Sequence, residues 1–537
     1  MGGTLTCGEA LVGLLERYQV DTVFGIPGTH TIELYRGLVS SSIRHILARH
    51  EQGAAFMADG YSRASGKPGV CFLIAGPGLM NAATAIASAY NDSTPLLIIT
   101  SVTHHGALGK AWGEGHEMHD QRATMTPITA FSATVHEPDD LPDLLGKAFA
   151  LFSAGRPRPV HLEIPTNVFP LPIQSEDFDR KWLPRPPSRR PAANPADLDA
   201  AVCKLRDARQ PMIYVGGGAK HASFEVTALA ERLVAPVANT VGGIGVVPGS
   251  HPLNLGSVSF EATRSALESA DVLLALGTEM GSVDRWYNPI APRGALIRVD
   301  IDPLKLNDHY GAAVALCADT ALAAAAIVKE LDTDISSTRT SDAHSLCEHI
   351  RAESIKSLTA LEMKHRRVWD TMQTAFPAST RFFGDMCQLA YTACRIVSSE
   401  EPVRQIHPIG FGCLGFGLPA ALGARCALFD EPIVVVSGDS GLLYTVQEMA
   451  TALDEDLPVV LILWNNYALG EIRDGFIRRG IQPIAVSPRP PDNLMLAKSF
   501  GWHAERTNGH DSLRAAIGRA LAVSGPSLIE VLETDEY

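Results

Sequence analysis

One carboxylate and two carboxamides follow apolar runs in the last third of the sequence. Asp439 comes shortly after IVVV (433–436), and Asn465 and Asn466 directly follow VVLILW (459–464). The carboxyl ends of parallel strands meet at one edge of a sheet, so Asp439 and Asn466 are expected to lie together although they are 27 residues apart (466 minus 439). Mg²⁺ takes such oxygen ligands and usually shares them with substrate phosphates. The spacing therefore predicts a metal-bridged diphosphate.

The segment between these residues is expected to form a crossover helix joining the two strands. Its apolar face has three-to-four spacing and consists of Leu443, Val446, Met449, Ala450 and Leu453. Ser440 and Gly441 open this helix, where free N–H groups and the helix dipole favour an anionic diphosphate. A strand-ending Asp or an Asn-Asn turn is common loop chemistry when it occurs alone. The prediction therefore depends on the two occurring together in a strand–helix–strand context.

The same alternation of β-rich runs and helical patterns extends along the whole chain, which predicts an α/β protein with doubly wound parallel sheets. Two polar stretches interrupt it and divide the chain into three domains. The expected domains are 1–170, 195–330 and 346–537, joined by linkers at 171–194 and 331–345. In the central domain PMIYVGGGAK (211–220) indicates a strand and a glycine turn. Its GGG is a weak nucleotide signal, and a Rossmann-like spacer domain is favoured.

Composition excludes several classes of partner. The 537 residues carry a formal net charge of −14, which disfavours nucleic-acid binding. The nine cysteines include no CxxC pair, which argues against a disulfide framework or a zinc site. No apolar run approaches the length of about 20 residues needed to cross a bilayer. A cytoplasmic protein with neither a nucleic-acid nor a membrane partner is expected.

The Asp439–Asn466 pair resembles the thiamine diphosphate (ThDP) motif, in which GDG precedes NN, with Ser440 in place of the third glycine. RHEQGAAFMADGYSRASGKPGVCF (49–72) resembles the segment with the catalytic glutamate in the acetolactate synthase-like family, and GFGCLGFGLPAALGA (410–424) is similar to another landmark of that family. Within that family, residues 6–38 and EGHEMHDQ (114–121) resemble 5-guanidino-2-oxopentanoate (2-ketoarginine) decarboxylases. The resemblance implies pyrimidine-binding, central and diphosphate-binding domains.

The resemblance also assigns residues to a ThDP and Mg²⁺ site. Glu51 would lie beside the aminopyrimidine ring, the Gly412 carbonyl would accept from its amino group, and Leu414 would wedge between the cofactor's two rings. The diphosphate side would be lined by Gln388, Gly438, Asp439, Ser440, Gly441, Asn466, Ala468, Leu469 and Gly470. The implied metal ligands are Asp439, Asn466 and the carbonyl of Ala468. Relatives build such sites between subunits, so a homodimer or dimer of dimers is expected.

The implied reaction is decarboxylation of a 2-oxo acid to an aldehyde and CO₂, with 5-guanidino-2-oxopentanoate as the expected substrate. The candidates for proton transfer are His104, His105, His116 and Glu471. A guanidinium group pairs well with carboxylates, and those expected near the entrance are Glu114, Glu117, Asp120, Glu471 and Asp474. The alternatives are an acetolactate synthase catalytic subunit, which would be expected to bind FAD, and an inactive cofactor-binding scaffold. Asp474-Gly475 replaces the Gln-Trp of acetolactate synthases, which disfavours the first alternative.

Overall fold

A computed structural model describes residues 3–331, 337–534 and 536–537. The chain folds around three parallel six-stranded sheets with helices on their faces. Central strands such as Leu96–Val102 and Ile433–Gly438 are buried along their whole length, as expected where helices cover both faces of a sheet. The predicted α/β class with three doubly wound sheets is confirmed. Among the described residues, no helix is long and apolar enough to span a membrane.

The first domain contains a parallel sheet of order β3-β2-β4-β5-β7-β6 and a separate antiparallel pair, β1 with β8. Its strands are β1 (Thr4–Thr6), β2 (Thr22–Gly25), β3 (Arg44–Leu47), β4 (Gly69–Leu73), β5 (Leu96–Val102), β6 (Phe131–Thr134), β7 (Val160–Pro165) and β8 (Pro172–Gln174). Its helices are α1 (Cys7–Arg17), α2 (Ile32–Arg36), α3 (Glu51–Ser65), α4 (Pro77–Asn91), α5 (Gln121–Met125), α6 (Asp140–Ala154) and α7 (Ser175–Lys181).

The central domain has the strand order β11-β10-β9-β12-β13-β14. This is the 3-2-1-4-5-6 order of a Rossmann sheet. Its strands are β9 (Pro211–Val215), β10 (Val237–Asn239), β11 (Asn254–Ser257), β12 (Val272–Leu276), β13 (Ala295–Asp300) and β14 (Val314–Cys317). The helices of this part of the chain are α8 (Pro195–Asp207), α9 (Ser223–Leu233), α10 (Glu261–Ser269), α11 (Pro303–Leu306), α12 (Thr320–Glu330) and α13 (Ser337–Lys356).

The third domain begins with helix α14 (Ala360–Ala375) and has the strand order β16-β15-β17-β18-β20-β19. Its strands are β15 (Arg381–Gly384), β16 (Gln405–Ile406), β17 (Ile433–Gly438), β18 (Val460–Asn465), β19 (His503–Thr507) and β20 (Ser527–Leu532). Its other helices are α15 (Gln388–Ile396), α16 (Gly417–Ala427), α17 (Asp439–Leu442), α18 (Glu448–Asp454), α19 (Gly470–Arg478), α20 (Asn493–Ser499) and α21 (His510–Ala522).

The first and third domains share one topology. When the six strands of each parallel sheet are numbered in chain order, both sheets have the strand order 2-1-3-4-6-5. Helices α3 and α16 occupy equivalent places after the second strand, and they pack against each other in one hydrophobic core common to both domains. No tandem repeat is visible in the sequence, so this internal symmetry emerges only from the structure.

Two features differ from the predicted organisation. The first linker, 171–194, contains β8 and α7. Part of the second linker, 332–336, lies outside the described residues, and α13 begins at Ser337. Cys347 and Ile350 of α13 pack in the core of the central domain, so the predicted boundary at 346 falls inside a helix attached to that domain.

The predicted single crossover helix after Asp439 is wrong, because α17 and α18 are separated by a turn. Thr445 in this turn is buried, and its hydroxyl donates to the Gly415 carbonyl at 2.8 Å. Leu443 and Leu453 of the expected apolar face are 43% and 45% exposed. The polar anchor at Thr445 therefore interrupts the helical pattern.

Candidate active site

Asp439 is the first residue of α17, at the end of central strand β17. Its side chain is buried, with 4% exposed. Burial raises the pKa of Asp439 to about 6, while the backbone amides of Ser440, Asp439 and Asn466 act in the lowering direction and the Glu530 carboxylate in the raising one. The Asp439 carboxyl thus lies beside the Asn466 backbone, and the two strand ends meet.

Asn466 is held by Gln388, which begins helix α15 after strand β15. Asn466 Nδ2 donates to Gln388 Oε1 at 3.2 Å, and the Ala468 N–H donates to Asn466 Oδ1 at 3.2 Å. Gly470 is packed directly against this pair, because a Cβ there would lie 2.3 Å from Gln388 Oε1 and 2.4 Å from Asn466 Nδ2. Only glycine leaves the contact between these two amides undisturbed.

Asn465 has a different role from its neighbour. It is buried, its Nδ2 donates to Glu530 Oε1 at 2.7 Å, and its Oδ1 accepts the Tyr467 N–H at 3.0 Å. Tyr467 has a positive φ of 54°. Asn465 therefore shapes the tight turn that presents Asn466 and the Ala468 backbone.

Three helices begin at this edge of the sheet. Gln388 is the first residue of α15, Asp439 of α17 and Gly470 of α19. Helix N-termini carry free N–H groups and a partial positive charge, which favours an anionic group. The edge is therefore suited to a diphosphate.

The other residues predicted for the diphosphate side lie in α17 or directly before α17 or α19. Ser440 and Gly441 belong to α17, and Gly438 ends β17. A Cβ at Gly438 would lie 3.1 Å from the Cys387 Cβ. Leu469 precedes α19 and its N–H donates to the Val486 carbonyl at 2.8 Å, so its backbone is already paired.

A buried carboxylate, Asp385, fixes the loop that leads into α16. It follows β15 and accepts the Gly415 N–H at 3.0 and 3.1 Å, the Gly417 N–H at 3.4 Å and the Ser437 hydroxyl at 3.3 Å. Burial raises the pKa of Asp385, and these donors act in the opposite direction. A carboxylate surrounded by backbone donors needs no cationic partner to hold this loop.

This loop carries Gly412 and Leu414. Gly412 has a positive φ of 74°, which favours glycine. A Cβ added to Gly441 would lie 3.6 Å from Leu414 Cδ2, so the half-buried Leu414 side chain faces the start of α17. On the other side of the loop, Cys413 Sγ lies 3.8 Å from the Thr84 carbonyl of α4.

Glu51 begins helix α3 in the first domain. Asn81 Nδ2 donates to Glu51 Oε2 at 2.9 Å, and a Cβ at Gly78 would lie 3.1 Å from Glu51 Oε1. Both neighbours belong to α4 of the same domain. No hydrogen bond among the described residues joins the Glu51 carboxylate to the Asp439–Asn466 cluster, so the structure does not bring these two predicted parts of the site into contact.

The adjacent histidines predicted as proton donors have different protein partners. His104 Nε2 lies 3.6 Å from a Glu114 oxygen. The His105 ring stacks on His136 with centroids 5.7 Å apart, and the His105 N–H donates to Asn167 Oδ1 at 2.9 Å. The adjacent histidines therefore point to different surroundings.

His116 packs against His30, a residue that the sequence reasoning missed. The ring centroids are 4.9 Å apart. Burial lowers the pKa of His30, and the neighbouring His116 lowers it further while Glu114 acts in the raising direction. His30 lies in FGIPGTH (24–30), so its place after a glycine turn was the available signal.

The carboxylates expected to face a guanidinium are engaged within the protein. Glu117 accepts the N–H groups of Trp112, Gly113 and Glu114 at 3.3, 2.7 and 3.1 Å. Asp120 accepts the N–H of Ala123 as the N-cap of α5.

Glu471 and Asp474 of α19 are engaged as well. Glu471 pairs with Arg478 at 2.6 Å and lies 3.5 Å from Gln388 Nε2. Asp474 accepts from Gln388 at 2.8 Å and from Arg473 at 3.0 Å. These two carboxylates orient Gln388, and their predicted roles toward substrate stay predictions.

Comparison with known families accounts for this arrangement. Three family profiles match successive parts of the chain: the N-terminal TPP-binding domain of thiamine pyrophosphate enzymes (residues 5–124), their central domain (198–327) and their C-terminal TPP-binding domain (385–531). The chain belongs to the thiamine pyrophosphate enzyme family. The predicted family is confirmed, and the edge at Asp439 lies in the C-terminal TPP-binding domain.

Individual members of the family match over nearly the whole chain. A Pseudomonas aeruginosa protein named "Probable 2-ketoarginine decarboxylase" is 46% identical, covering 98% of this chain and 94% of the relative. The large subunit of acetolactate synthase isozyme 1 from Escherichia coli is 31% identical, with 98% and 93% covered. The chloroplastic acetolactate synthase of Arabidopsis thaliana is also 31% identical, with 98% and 81% covered. The chain is a ThDP-dependent enzyme, and the relatives support the predicted 2-oxo acid decarboxylase class.

The residues at the β17 edge fit a divalent cation and a diphosphate. Asp439 is a buried carboxylate whose charged neighbour is a second carboxylate, Glu530, so a cation would relieve the cost of ionising it. Asn466, whose backbone N–H lies beside the Asp439 carboxyl, carries an amide oxygen of the kind that hard cations bind. Gly470 lets the Gln388 and Asn466 amides meet at this edge, because a Cβ there would lie 2.3 Å from Gln388 Oε1.

The sequence reasoning missed two buried acids that the structure places next to predicted site residues. Asp385 holds the loop of Leu414, and Glu448 contacts the turn before Glu51. Asp385 follows the apolar strand RFFG (381–384), which is the same signal that marked Asp439. Glu448 lies within a helical segment, and no sequence pattern distinguishes it.

Proposed function

We propose that this protein is a ThDP- and Mg²⁺-dependent decarboxylase that converts 5-guanidino-2-oxopentanoate to the corresponding aldehyde and CO₂. The observation that carries the proposal is the 46% identity over 98% of the chain to the protein named for 2-ketoarginine decarboxylation. The buried Asp439 next to Asn466 supports the metal, and the three helix starts support the diphosphate.

Asp439, Asn466 and the Ala468 carbonyl would hold Mg²⁺, and Gln388, Gly438, Ser440, Gly441, Leu469 and Gly470 would surround the diphosphate. When bound, ThDP supplies a carbon nucleophile and an electron sink for the carboxylate that leaves as CO₂. Glu51 would hold and exchange a proton with the aminopyrimidine ring, while Gly412 and Leu414 would orient that ring. A histidine among His104, His105 and His116 would protonate the carbon that becomes the aldehyde.

The first test is CO₂ release from 5-guanidino-2-oxopentanoate and from pyruvate, with and without ThDP and Mg²⁺, with the products identified by mass. Cofactor-dependent release from the guanidino acid that yields the aldehyde is expected. Glu51→Gln is the matched inactive control, because it keeps the shape of the side chain and removes its acid–base function. Release from neither acid by the cofactor-loaded protein would refute the proposed substrate.

We further propose a homodimer or dimer of dimers in which one subunit supplies Glu51 and another supplies Asp439. The separation of Glu51 from the third-domain cluster within one chain supports this arrangement. Glu51→Gln and Asp439→Asn chains are each expected to be inactive, but their random mixture should recover about a quarter of the activity, since half of the dimers contain one intact site of two. No recovery on unfolding and refolding the mixture would contradict shared sites.

The second candidate is an acetolactate synthase catalytic subunit, which the 31% identity to two acetolactate synthases favours. Such an enzyme would be expected to bind FAD in the central domain. A cavity of about 330 Å³ lies at the carboxyl ends of the strands of the central domain, and Gly217, Gly218 and Lys220 are among the residues that line it. Acetolactate as the product from pyruvate, together with flavin absorbance of the purified protein, would replace the decarboxylase proposal with this one.

A further inference from the structure

Helix α18 of the third domain packs on the turn that precedes Glu51 in the first domain. Arg44 of β3 pairs with Glu455 at 3.2 Å, and the Leu47 N–H donates to the same carboxylate at 3.2 Å. Arg49 pairs with Asp454. These side chains are partly exposed and lie around the edge of the turn, and each pair contributes little by itself.

At the centre of this contact Glu448 is fully buried. Its carboxylate accepts the Arg49 N–H at 3.1 and 3.2 Å and the His50 N–H at 3.0 Å, and the Thr451 hydroxyl donates to it at 2.7 Å. Gly53 on α3 leaves space for the Glu448 carboxylate, since a Cβ at Gly53 would lie 2.2 Å from Glu448 Oε1. The carboxylate therefore sits at the N-terminus of the helix that begins with Glu51.

We propose that Glu448 is a positioning residue for Glu51, which fixes the first turn of α3 from the third domain of the same chain. The inference rests on the proposed function, in which Glu51 acts on the cofactor. The N–H groups of residues 49 and 50 precede the helix and have no helical acceptor. Glu448 supplies that acceptor, and the helix dipole favours its negative charge. A shift of the turn would move the Glu51 carboxyl with it.

The ionisation of Glu448 links this contact to pH. Burial raises the pKa of Glu448 to about 7, while Thr451, Arg49 and His50 act in the lowering direction. Arg49 and His50 are the ionisable side chains of the turn that the carboxylate holds. Above neutrality both oxygens accept from the backbone, whereas protonation at lower pH turns one oxygen into a donor. Activity should therefore gain a limb near neutrality that depends on Glu448.

The decisive variants are Glu448→Gln and Gly53→Ala, with Glu455→Gln at the C-cap of the same helix as the matched control. In Glu448→Gln a carboxamide N–H₂ must face the N–H donors of the turn, and in Gly53→Ala the new Cβ pushes the native carboxylate away. Both should lower kcat roughly 10- to 100-fold while KM changes less than about twofold, as expected for a misplaced reacting group. Glu455→Gln should leave kcat within about twofold, since its ion pair with Arg44 is partly exposed to solvent.

Two further readouts separate positioning from general structural damage. Amide hydrogen exchange of residues 49–54 should speed up in both decisive variants and stay unchanged in Glu455→Gln. The pH limb near neutrality should be lost in Glu448→Gln. The inference would be overturned if the wild-type enzyme is active and both decisive variants match it in kcat and in amide exchange. A wild-type protein inactive on every 2-oxo acid would instead overturn the proposed function, whatever the exchange data show.

Discussion

The contact between helices α3 and α16 allows a strict test of the packing that joins the first and third domains. Gly60 and Gly423 occupy equivalent positions on these helices. A Cβ at Gly423 would lie 1.8 Å from the Met57 carbonyl oxygen, and a Cβ at Gly60 would lie 1.9 Å from the Ala420 carbonyl oxygen. Each glycine thus faces the residue three positions before the other glycine, and the helix backbones touch.

Gly423→Ala should destabilise the protein although alanine favours a helix. Real Cβ contacts are essentially never shorter than 3.0 Å, so the backbones must separate by about 1.2 Å (3.0 minus 1.8). Overpacking a tight core costs about 1–3 kcal/mol, and more when the structure cannot adjust. Because both partners here are backbone, we expect the upper part of this range. The helix propensity of alanine returns about 1 kcal/mol, which leaves a loss of about 2 kcal/mol.

The measurement is denaturant unfolding of Gly423→Ala beside Gly518→Ala. Gly518 lies within α21, and a Cβ there would meet nothing within 4 Å. The control should therefore gain about 0.5–1 kcal/mol from helix propensity alone. A Gly423→Ala protein as stable as Gly518→Ala would refute the close-contact reasoning, because the two variants differ only in what the new methyl group meets.

Three other changes have defined outcomes. Gly470→Ala should weaken ThDP binding more than roughly tenfold in calorimetry, because the methyl group would separate Gln388 from Asn466. Asp439→Asn should weaken Mg²⁺-dependent ThDP binding roughly 100-fold or more, since Mg²⁺ sites depend on one or two carboxylates. Glu448 has a folded pKa of about 7 against an ordinary 4.5, so its contribution to stability is present below about pH 4.5 and is lost as pH rises through 7. The free energy of unfolding of the wild type should thus fall relative to Glu448→Gln over that window, by at most about 3 kcal/mol.

The elements that could be predicted are those with a local sequence pattern. Continuous apolar runs such as IVVV and VVLILW gave the buried strands, and the residues after them gave Asp439 and Asn466. The break between α17 and α18 was not predictable, because it depends on Thr445 reaching the distant Gly415 carbonyl. Contacts between residues far apart in sequence leave no periodic signal.

The predicted site was limited for the same reason. Glu471 was identified from its place after the Asn-Asn turn, but its partner Arg478 and its neighbour Gln388 are fixed by how α15 and α19 pack. Glu448 is recognisable only when residues 49 and 50 are seen against it, about 400 positions away along the chain.

The shared topology of the first and third domains explains how the chemistry is divided. The third strand of each six-stranded sheet, in chain order, leads into a helix, which begins at Pro77 after β4 and at Asp439 after β17. The fourth strand ends before His104 in the first domain and before Asn466 in the third. One scaffold thus presents the histidines proposed for proton transfer at one copy of the edge and the proposed oxygen ligands at the other. The proposed site needs both sets of groups, and the contact of α18 with the turn before α3 fixes where Glu51 lies within its own chain.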